Sequence, residues 1–214
     1  MKRIYLSLLI FYFFSSAYCQ KKELPPIDIE NVNFTLGKSF SNFMFKGPGG
    51  RYNTMSLSGN TYSLSAGIDI GKVEYLHWVR PEITYYEVNA RSLFENVATN
   101  WEIKYFGAGV SYLLEVINKE RFCLSPGFNL NLAYMIRGQQ SIGGSTFNLR
   151  QERYLSMWNF QGGPLINSRL EINKKLSLFL EYRFAFGLNQ IEKDVNEKAR
   201  IYAHFASLGF TYKL

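Results

Sequence analysis

The chain has 214 residues, a formal net charge of +7 and two cysteines, and 17% of its residues are aromatic. Because one cysteine lies in the first 19 residues, the rest of the chain has no pair for an internal disulfide. Apart from a short run at the amino terminus, no stretch is apolar for long enough to predict a membrane helix.

The amino terminus has the pattern of a secretory signal peptide. Lys2 and Arg3 precede an apolar run over residues 4–14 and small residues before Cys19. We predict a signal peptide at 1–19, cleaved before Gln20, and a periplasmic segment at 20–30. A lipoprotein with acylated Cys19 is the alternative, which Tyr18 disfavours. An exported protein rarely meets nucleic acid, so the basic residues are expected to face water or anionic lipid headgroups.

From residue 31 onward, apolar and polar residues alternate in eight segments. A period of two predicts strands with one apolar and one polar face. In the third segment Pro81 cannot donate to a ladder, so a bulge or a weak point is expected there. The segments are 31–45, 57–70, 77–88, 101–116, 124–137, 158–172, 176–188 and 199–214.

The connections between these segments alternate strictly in length. Short ones cover 71–75, 118–120 and 173–175, and long polar ones cover 46–56, 89–100, 138–153 and 189–198. The glycine-rich start of the first long connection lacks the Lys-Ser/Thr ending of a nucleotide loop, so we interpret it as a surface loop. Eight strands with this alternation predict an all-β, antiparallel up-and-down transmembrane barrel over 31–214.

The apolar face is predicted to point outward. The interior of an eight-stranded barrel is filled by side chains or by one small ligand, and several large apolar residues per strand would exceed it. The lumen would then contain seven charged residues. We predict that they form a structural polar network of ion pairs. The alternative is that they line a selectivity filter or a path for protons or a ligand. These residues are Asp69, Arg80, Glu82, Arg169, Glu171, Glu181 and Arg183.

The last strand resembles the carboxyl-terminal signal strand of bacterial outer-membrane barrels, with Gly209, Phe210, Tyr212 and Leu214 in the assembly signal and Leu214 replacing the usual aromatic residue. Together with segments 34–43 and 107–112 and the Cys19-Gln20 signal end, it makes the chain similar to the PorT-like outer-membrane β-barrel domain of Bacteroidota. The resemblance implies an eight-stranded outer-membrane barrel. Expected partners are outer-membrane lipid, the barrel-assembly machinery during biogenesis, and secretion or envelope proteins, since one namesake is linked to a protein-secretion system.

No residue pattern indicates catalysis, a cofactor or a metal site. His204 and Ser207 fall on opposite faces of one strand, and His77 has no nearby ligand spacing. The three tryptophans, Trp78, Trp101 and Trp158, are predicted to lie in the interfacial aromatic girdle. The expected function is a non-enzymatic structural or surface-recognition role through four long loops. A narrow pore or secretion accessory, and a lipid-modifying enzyme, are the alternatives.

Overall fold

The computed structural model describes residues 29–46, 52–72, 77–94, 97–152, 155–187, 190–191 and 198–214. Within them, no helix is both long and apolar enough to cross a membrane. Three short strands, β5 (Ile117–Lys119), β7 (Ser145–Asn148) and β10 (Gln190–Ile191), and the four-residue helix α1 (Leu149–Glu152) accompany the long strands. The long strands are β1 (Ile29–Lys46), β2 (Tyr52–Lys72), β3 (His77–Phe94), β4 (Val97–Leu114), β6 (Phe122–Ile142), β8 (Trp158–Glu171), β9 (Leu176–Gly187) and β11 (Lys198–Lys213).

The eight long strands form a closed antiparallel barrel. Each pairs with the next in chain order, and β11 returns to pair with β1 from Asn31–Lys213 to Lys46–Lys198. Closure satisfies the backbone groups that an open sheet would leave along its edge strands. The prediction of an eight-stranded antiparallel up-and-down barrel is therefore confirmed.

The strands are tilted relative to the barrel axis. A row of paired residues that starts at Gly71 on β2 returns to β2 at Thr61 after one circuit, a stagger of ten residues. With about 3.3 Å per residue and about 4.8 Å between strands, this stagger gives a tilt of about 40°. The row passes through Trp78, Leu113, Gly127, Leu165, Arg183, Phe205 and Ser39.

The two ends of the barrel differ in their connections. At the short-turn end, β4 is joined to β6 and β8 to β9 by tight connections, and the described chain begins and ends there at Ile29 and Leu214. At the long-loop end, several strands continue further than predicted: β3 reaches Phe94, β4 begins at Val97 and β6 reaches Ile142.

Most of the predicted loop at 89–100 therefore belongs to β3 and β4. Its ladder runs from Asn89–Glu102 to Phe94–Val97. Ala90 is buried, but Arg91, Val97 and Ala98 are exposed, so the segment has no sustained alternation and its pattern predicted a loop. β1 begins two residues before the predicted boundary at 31. The predicted signal peptide, residues 20–28 and the glycine-rich loop after Lys46 lie outside the described residues.

Of the bulge or weak point predicted at Pro81, the structure shows no bulge, but the ladder between β2 and β3 is interrupted there, with no residue pair between Gly67–Glu82 and Ile70–Val79. Pro81 pairs with Val110, and the ladder between β3 and β4 keeps a single register from His77–Leu114 to Phe94–Val97. Proline removes one hydrogen-bond donor, but it does not require an extra residue in the strand. A register shift occurs instead between β4 and β6, at Lys104 and Tyr105.

The two faces of the strands are separated as the alternation predicts. Large apolar side chains cover the outside, where Leu36, Ile83 and Leu180 are 59%, 56% and 63% exposed. In the half nearer the short-turn end, the inside holds mainly buried polar and charged side chains, together with a small apolar cluster of Trp78, Leu113 and Leu165. In the half nearer the long-loop end, the inside is closed by buried apolar and aromatic side chains, which we call the apolar plug.

Candidate functional site: the charged lumen

Four strands on opposite sides of the barrel supply the charged residues of the lumen. Adjacent strands β2 and β3 contribute Asp69, Arg80 and Glu82, and β8 and β9 contribute Arg169, Glu181 and Arg183. On β3 and β9 the charged residues are two positions apart, so both side chains of each strand point inward. The structure thus brings together six of the seven predicted lumen residues, which we call the charge network.

Arg80 is the central cation of this network. Its Nε donates to Asp69 Oδ1 at 2.7 Å, and its Nη1 donates to Glu181 Oε2 at 3.0 Å on the opposite wall. Arg169 Nη2 donates to the second oxygen of Asp69 at 2.9 Å. The side chains of Arg80 and Asp69 are 2% and 0% exposed, so these ion pairs are shielded from solvent.

Arg183 extends the network toward the long-loop end. Its Nη2 donates to Glu181 Oε1 at 2.7 Å, and its Nη1 lies 3.0 Å from Glu82 Oε1. The Glu82 carboxylate also accepts from Asn129 Nδ2 at 2.8 Å and from Ser111 Oγ at 3.1 Å. Neutral donors therefore complete the coordination of a carboxylate that one arginine alone would leave unsatisfied.

The charge network is electrically balanced. It contains three guanidinium groups and three carboxylates, and each carboxylate accepts from at least one arginine. Burying six charges is costly, and only close pairing with additional hydrogen bonds offsets the loss of hydration. The arrangement braces opposite walls of the barrel, and it leaves two buried donors, Arg80 Nη2 and Arg169 Nε, without a hydrogen-bond partner among the described residues.

Glu171 does not belong to the charge network, so its predicted place there is wrong. It is exposed at the end of β8, because the strand leaves the barrel interior after Arg169. Together with Arg121, Lys174 and Lys175 it lines a polar cavity of about 190 Å³ at the mouth of the short-turn end.

A small polar chamber lies between the charge network and the apolar plug. It has a volume of about 30 Å³, and Arg183 and Phe205 are among the residues that line it. Three buried atoms of its lining have no hydrogen-bond partner among the described residues: Ser63 Oγ, Asn131 Oδ1 and Gln161 Nε2. Its size and polarity suit about two ordered water molecules.

The apolar plug closes the lumen above this chamber. Tyr86 stacks on Tyr105 with ring centroids 5.2 Å apart and meets the edge of Phe205 at 5.6 Å. Leu149 of α1 and Leu155 fold back into the mouth and are 0% and 5% exposed. The sequence analysis did not predict the plug, although on β3 its residues Tyr86, Val88 and Ala90 occupy the same alternate positions as Arg80 and Glu82.

Two of the three tryptophans are not in the predicted girdle. Trp101 points into the apolar plug, and Trp78 points inward at the short-turn end, where its Nε1 donates to Glu115 Oε1 at 2.7 Å. Trp158, the first residue of β8, is 56% exposed on the outside. Trp78 is two residues before Arg80 on β3, so both side chains point to the same face, and the sequence could have identified Trp78 as inward-facing.

The closing strand contacts the charge network through one aromatic residue. Arg80 lies over the ring of Phe179, with Cζ 5.4 Å from the centroid, and the same ring fills the space beside Gly209. A methyl group at position 209 would overlap this ring and the Phe34 carbonyl oxygen.

On the outside, Phe210 stacks on Phe34 at 5.2 Å, while Tyr212 and Leu214 are exposed. Nothing in this geometry tests the predicted role of these residues in assembly.

Both histidine side chains lie on the outer face of the barrel. His204 Nδ1 is 2.7 Å from the hydroxyl of Tyr182, and its ring centroid is 4.8 Å from that of Phe184. His77 stacks on Tyr112 at 5.9 Å. In the described part of the chain, no group of three or more His, Cys, Asp or Glu side chains is arranged to hold a metal ion.

Comparison with known proteins adds structural neighbours but no family. No protein-family model and no curated protein matches the sequence. Neisserial surface protein A is 15% identical with a TM-score of 0.48, covering 85% of this chain and 97% of its own. Outer membrane protein OprG from Pseudomonas aeruginosa is 11% identical with a TM-score of 0.43, and the match covers 88% of this chain and 97% of OprG. Outer membrane protease OmpT from Escherichia coli is 8% identical with a TM-score of 0.45, and the match covers 91% of this chain and 99% of OmpT. With TM-scores below 0.5, no property of these proteins is transferred to this chain.

Proposed function

We propose that the chain is a small integral barrel of the bacterial outer membrane with a closed lumen and no catalytic activity. Its role is structural, or it recognises surface ligands through the long connections. The observation that supports this proposal most strongly is the balanced charge network, which occupies the lumen beneath an apolar plug.

The outer surface supports insertion into a membrane. Outward positions of β11 are apolar or aromatic except for His204, from Tyr212 to Tyr202. At a tilt of about 40°, ten residues advance about 25 Å along the axis, which matches the apolar band of outer-membrane barrels. In water, such a belt would be a very large exposed apolar patch.

The lumen supports a closed barrel rather than a pore. Arg80 links Asp69 on one wall to Glu181 on the other, across the region where an ion would have to pass. The apolar plug adds a second barrier, which water enters only at a cost. A narrow pore or a secretion accessory with an open lumen would require both layers to rearrange.

The site chemistry supports the absence of catalysis. A hydrolase needs a nucleophile within hydrogen-bond reach of a base. His204 contacts Tyr182 on the outer face, whereas Ser207 belongs to the inward-facing set of the same strand. For the lipid-modifying enzyme, the test is the lipid A and phospholipid profile of a deletion strain, which we expect to be unchanged.

Electrophoretic mobility and conductance test the proposal together. The folded protein should migrate differently from the heated protein on a gel and fractionate with the outer membrane, and it should give no discrete current steps in planar bilayers. Recovery of the mature chain in the soluble periplasm would contradict membrane insertion. Reproducible single-channel steps would favour the pore. Membership of the PorT-like family and a role in secretion remain predictions.

A further inference from the structure

One groove on the outer surface changes from apolar to basic along its length. It has a volume of about 610 Å³ and crosses the outside of the wall from β6 to β2. Leu124 and Leu180 line its lower part, and Lys38 and Tyr62 line its upper part, while the small side chain of Ala206 lies between them. The groove is therefore amphipathic, with one cationic end.

Strand register explains how the groove forms. Ala206 pairs with Tyr182 on one side and with Lys38 on the other, and Lys38 pairs with Tyr62. Since directly paired residues point to the same face, these four side chains form one outward row. Ala206 is exposed in that row and its methyl group reaches far less than its neighbours do, which leaves a trough between them.

The dimensions of the groove suit one acyl chain. From β6 to β2 it crosses five strand spacings, about 24 Å. Because the strands are tilted by about 40°, the groove rises by about 15 Å toward the long-loop end, which is half of the hydrocarbon thickness of about 30 Å. A chain lying in it would place its headgroup beside Lys38.

The upper end of the groove is suited to an anionic group. Lys38 Nζ lies 3.9 Å from the centroid of the Tyr62 ring, and this contact holds the ammonium group at the outer face. The Tyr182 hydroxyl, bonded to His204, adds a polar group on the other side of Ala206. Glu181 also lines the groove, but its carboxylate is bound by Arg80 and Arg183 in the lumen.

We propose that this groove binds one anionic phospholipid, with an acyl chain along Ala206 and Leu180 and the phosphate at Lys38. The proposal rests on the membrane insertion proposed above. A neighbouring outer groove of about 660 Å³, which includes Ala66 in its lining, has no charged residue there and serves as an internal comparison.

Spin-labelled lipids test this site in reconstituted bilayers. The fraction of motionally restricted phosphatidylglycerol is compared with that of phosphatidylcholine by electron paramagnetic resonance. One basic residue at a membrane surface corresponds to a preference of about fivefold for the anionic lipid. Lys38→Gln should abolish most of this preference, and Ala206→Phe should displace the restricted lipid. Lys104→Gln, at a lysine outside this groove, and Ala66→Phe are the matched controls and should retain wild-type binding.

The outcomes separate this proposal from the proposed function. If the wild type inserts but binds both lipids equally, or if the control variants lose the preference as much as Lys38→Gln does, the lipid site is wrong and the membrane barrel stands. If Ala206→Phe does not fold, as judged by heat-modifiable mobility, the lipid preference of Lys38→Gln tests the site by itself: an unchanged preference would contradict the lipid site. Failure of the wild type to enter bilayers would contradict the membrane barrel itself.

Discussion

Arg80 connects the two walls of the barrel and is the most deeply buried arginine of the charge network, with its side chain 2% exposed against 14% for Arg169 and 11% for Arg183. It holds Asp69 and Glu181, which are both almost fully buried, with Nε–Oδ1 and Nη1–Oε2 distances of 2.7 and 3.0 Å. Removing one partner of a buried pair leaves an uncompensated charge, which costs far more than the intact pair contributes. Loss of Arg80 would therefore leave one buried negative charge of the network uncompensated.

We expect Arg80→Met to lower the free energy of unfolding by about 3–5 kcal/mol, because two buried carboxylates would lose their shared cation. The measurement is the urea midpoint of the protein folded in lipid vesicles. Arg121→Met, at an exposed position on the rim, is the control and should change the midpoint little. Equal midpoints for the wild type and Arg80→Met would refute the bracing role of the network.

Gly209 provides a second test at the residue scale. Its missing side chain leaves room for the ring of Phe179, on which Arg80 rests. Gly209→Ala should destabilise the barrel by about 1–3 kcal/mol through overpacking. In a Phe179→Leu background the same substitution should cost less, because part of the overlap is gone. A double-mutant cycle measures this coupling, and purely additive effects would disprove the contact.

The closing strand β11 determines which residues face lipid and which face the lumen. It pairs with β9 and β1 in continuous register, so Thr211 is buried inside while Phe210 and Tyr212 lie outside. A shift by one residue would exchange the two faces of the strand. Register is consequently the property of this element that a mutation can test most sharply.

Insertion of one alanine between Leu208 and Gly209 should prevent folding, because it would turn Phe210 and Tyr212 toward the lumen. The heat-modifiable band on a gel reports whether the barrel forms. A serine inserted between Gly143 and Gly144, in the turn that joins β6 to β7, is the matched control and should be tolerated. A folded barrel from the β11 insertion would contradict the assigned register.

Local alternation was sufficient to predict the strands but not their full length or the filling of the lumen. A period of two identified eight segments and the inward parity of Arg80, Glu82 and Arg183. It failed at 89–100, where the paired strands continue without a one-sided apolar pattern. It also could not show that Glu171 lies beyond the lumen, since parity gives the face of a residue and not its height.

At the scale of the whole molecule, the interior is divided into layers along the axis. A polar mouth, the charge network, a small chamber and the apolar plug follow one another from the short-turn end. The sequence does not reveal this order, because the stagger of ten residues brings together side chains far apart in the chain, such as Arg80 and Glu181. Only closure of the barrel makes these contacts possible.

The environment of the apolar face is tested most directly by a nitroxide attached to the mature chain at Leu180→Cys, with Cys123 replaced by serine. The measured quantity is its collision rate with two relaxation agents. This position is 63% exposed on the outer surface, about the middle of β9. In reconstituted bilayers we expect frequent collisions with oxygen, which concentrates in hydrocarbon, and few with a water-soluble nickel complex. Frequent collisions with the nickel complex and few with oxygen would place this face in water and contradict the membrane barrel.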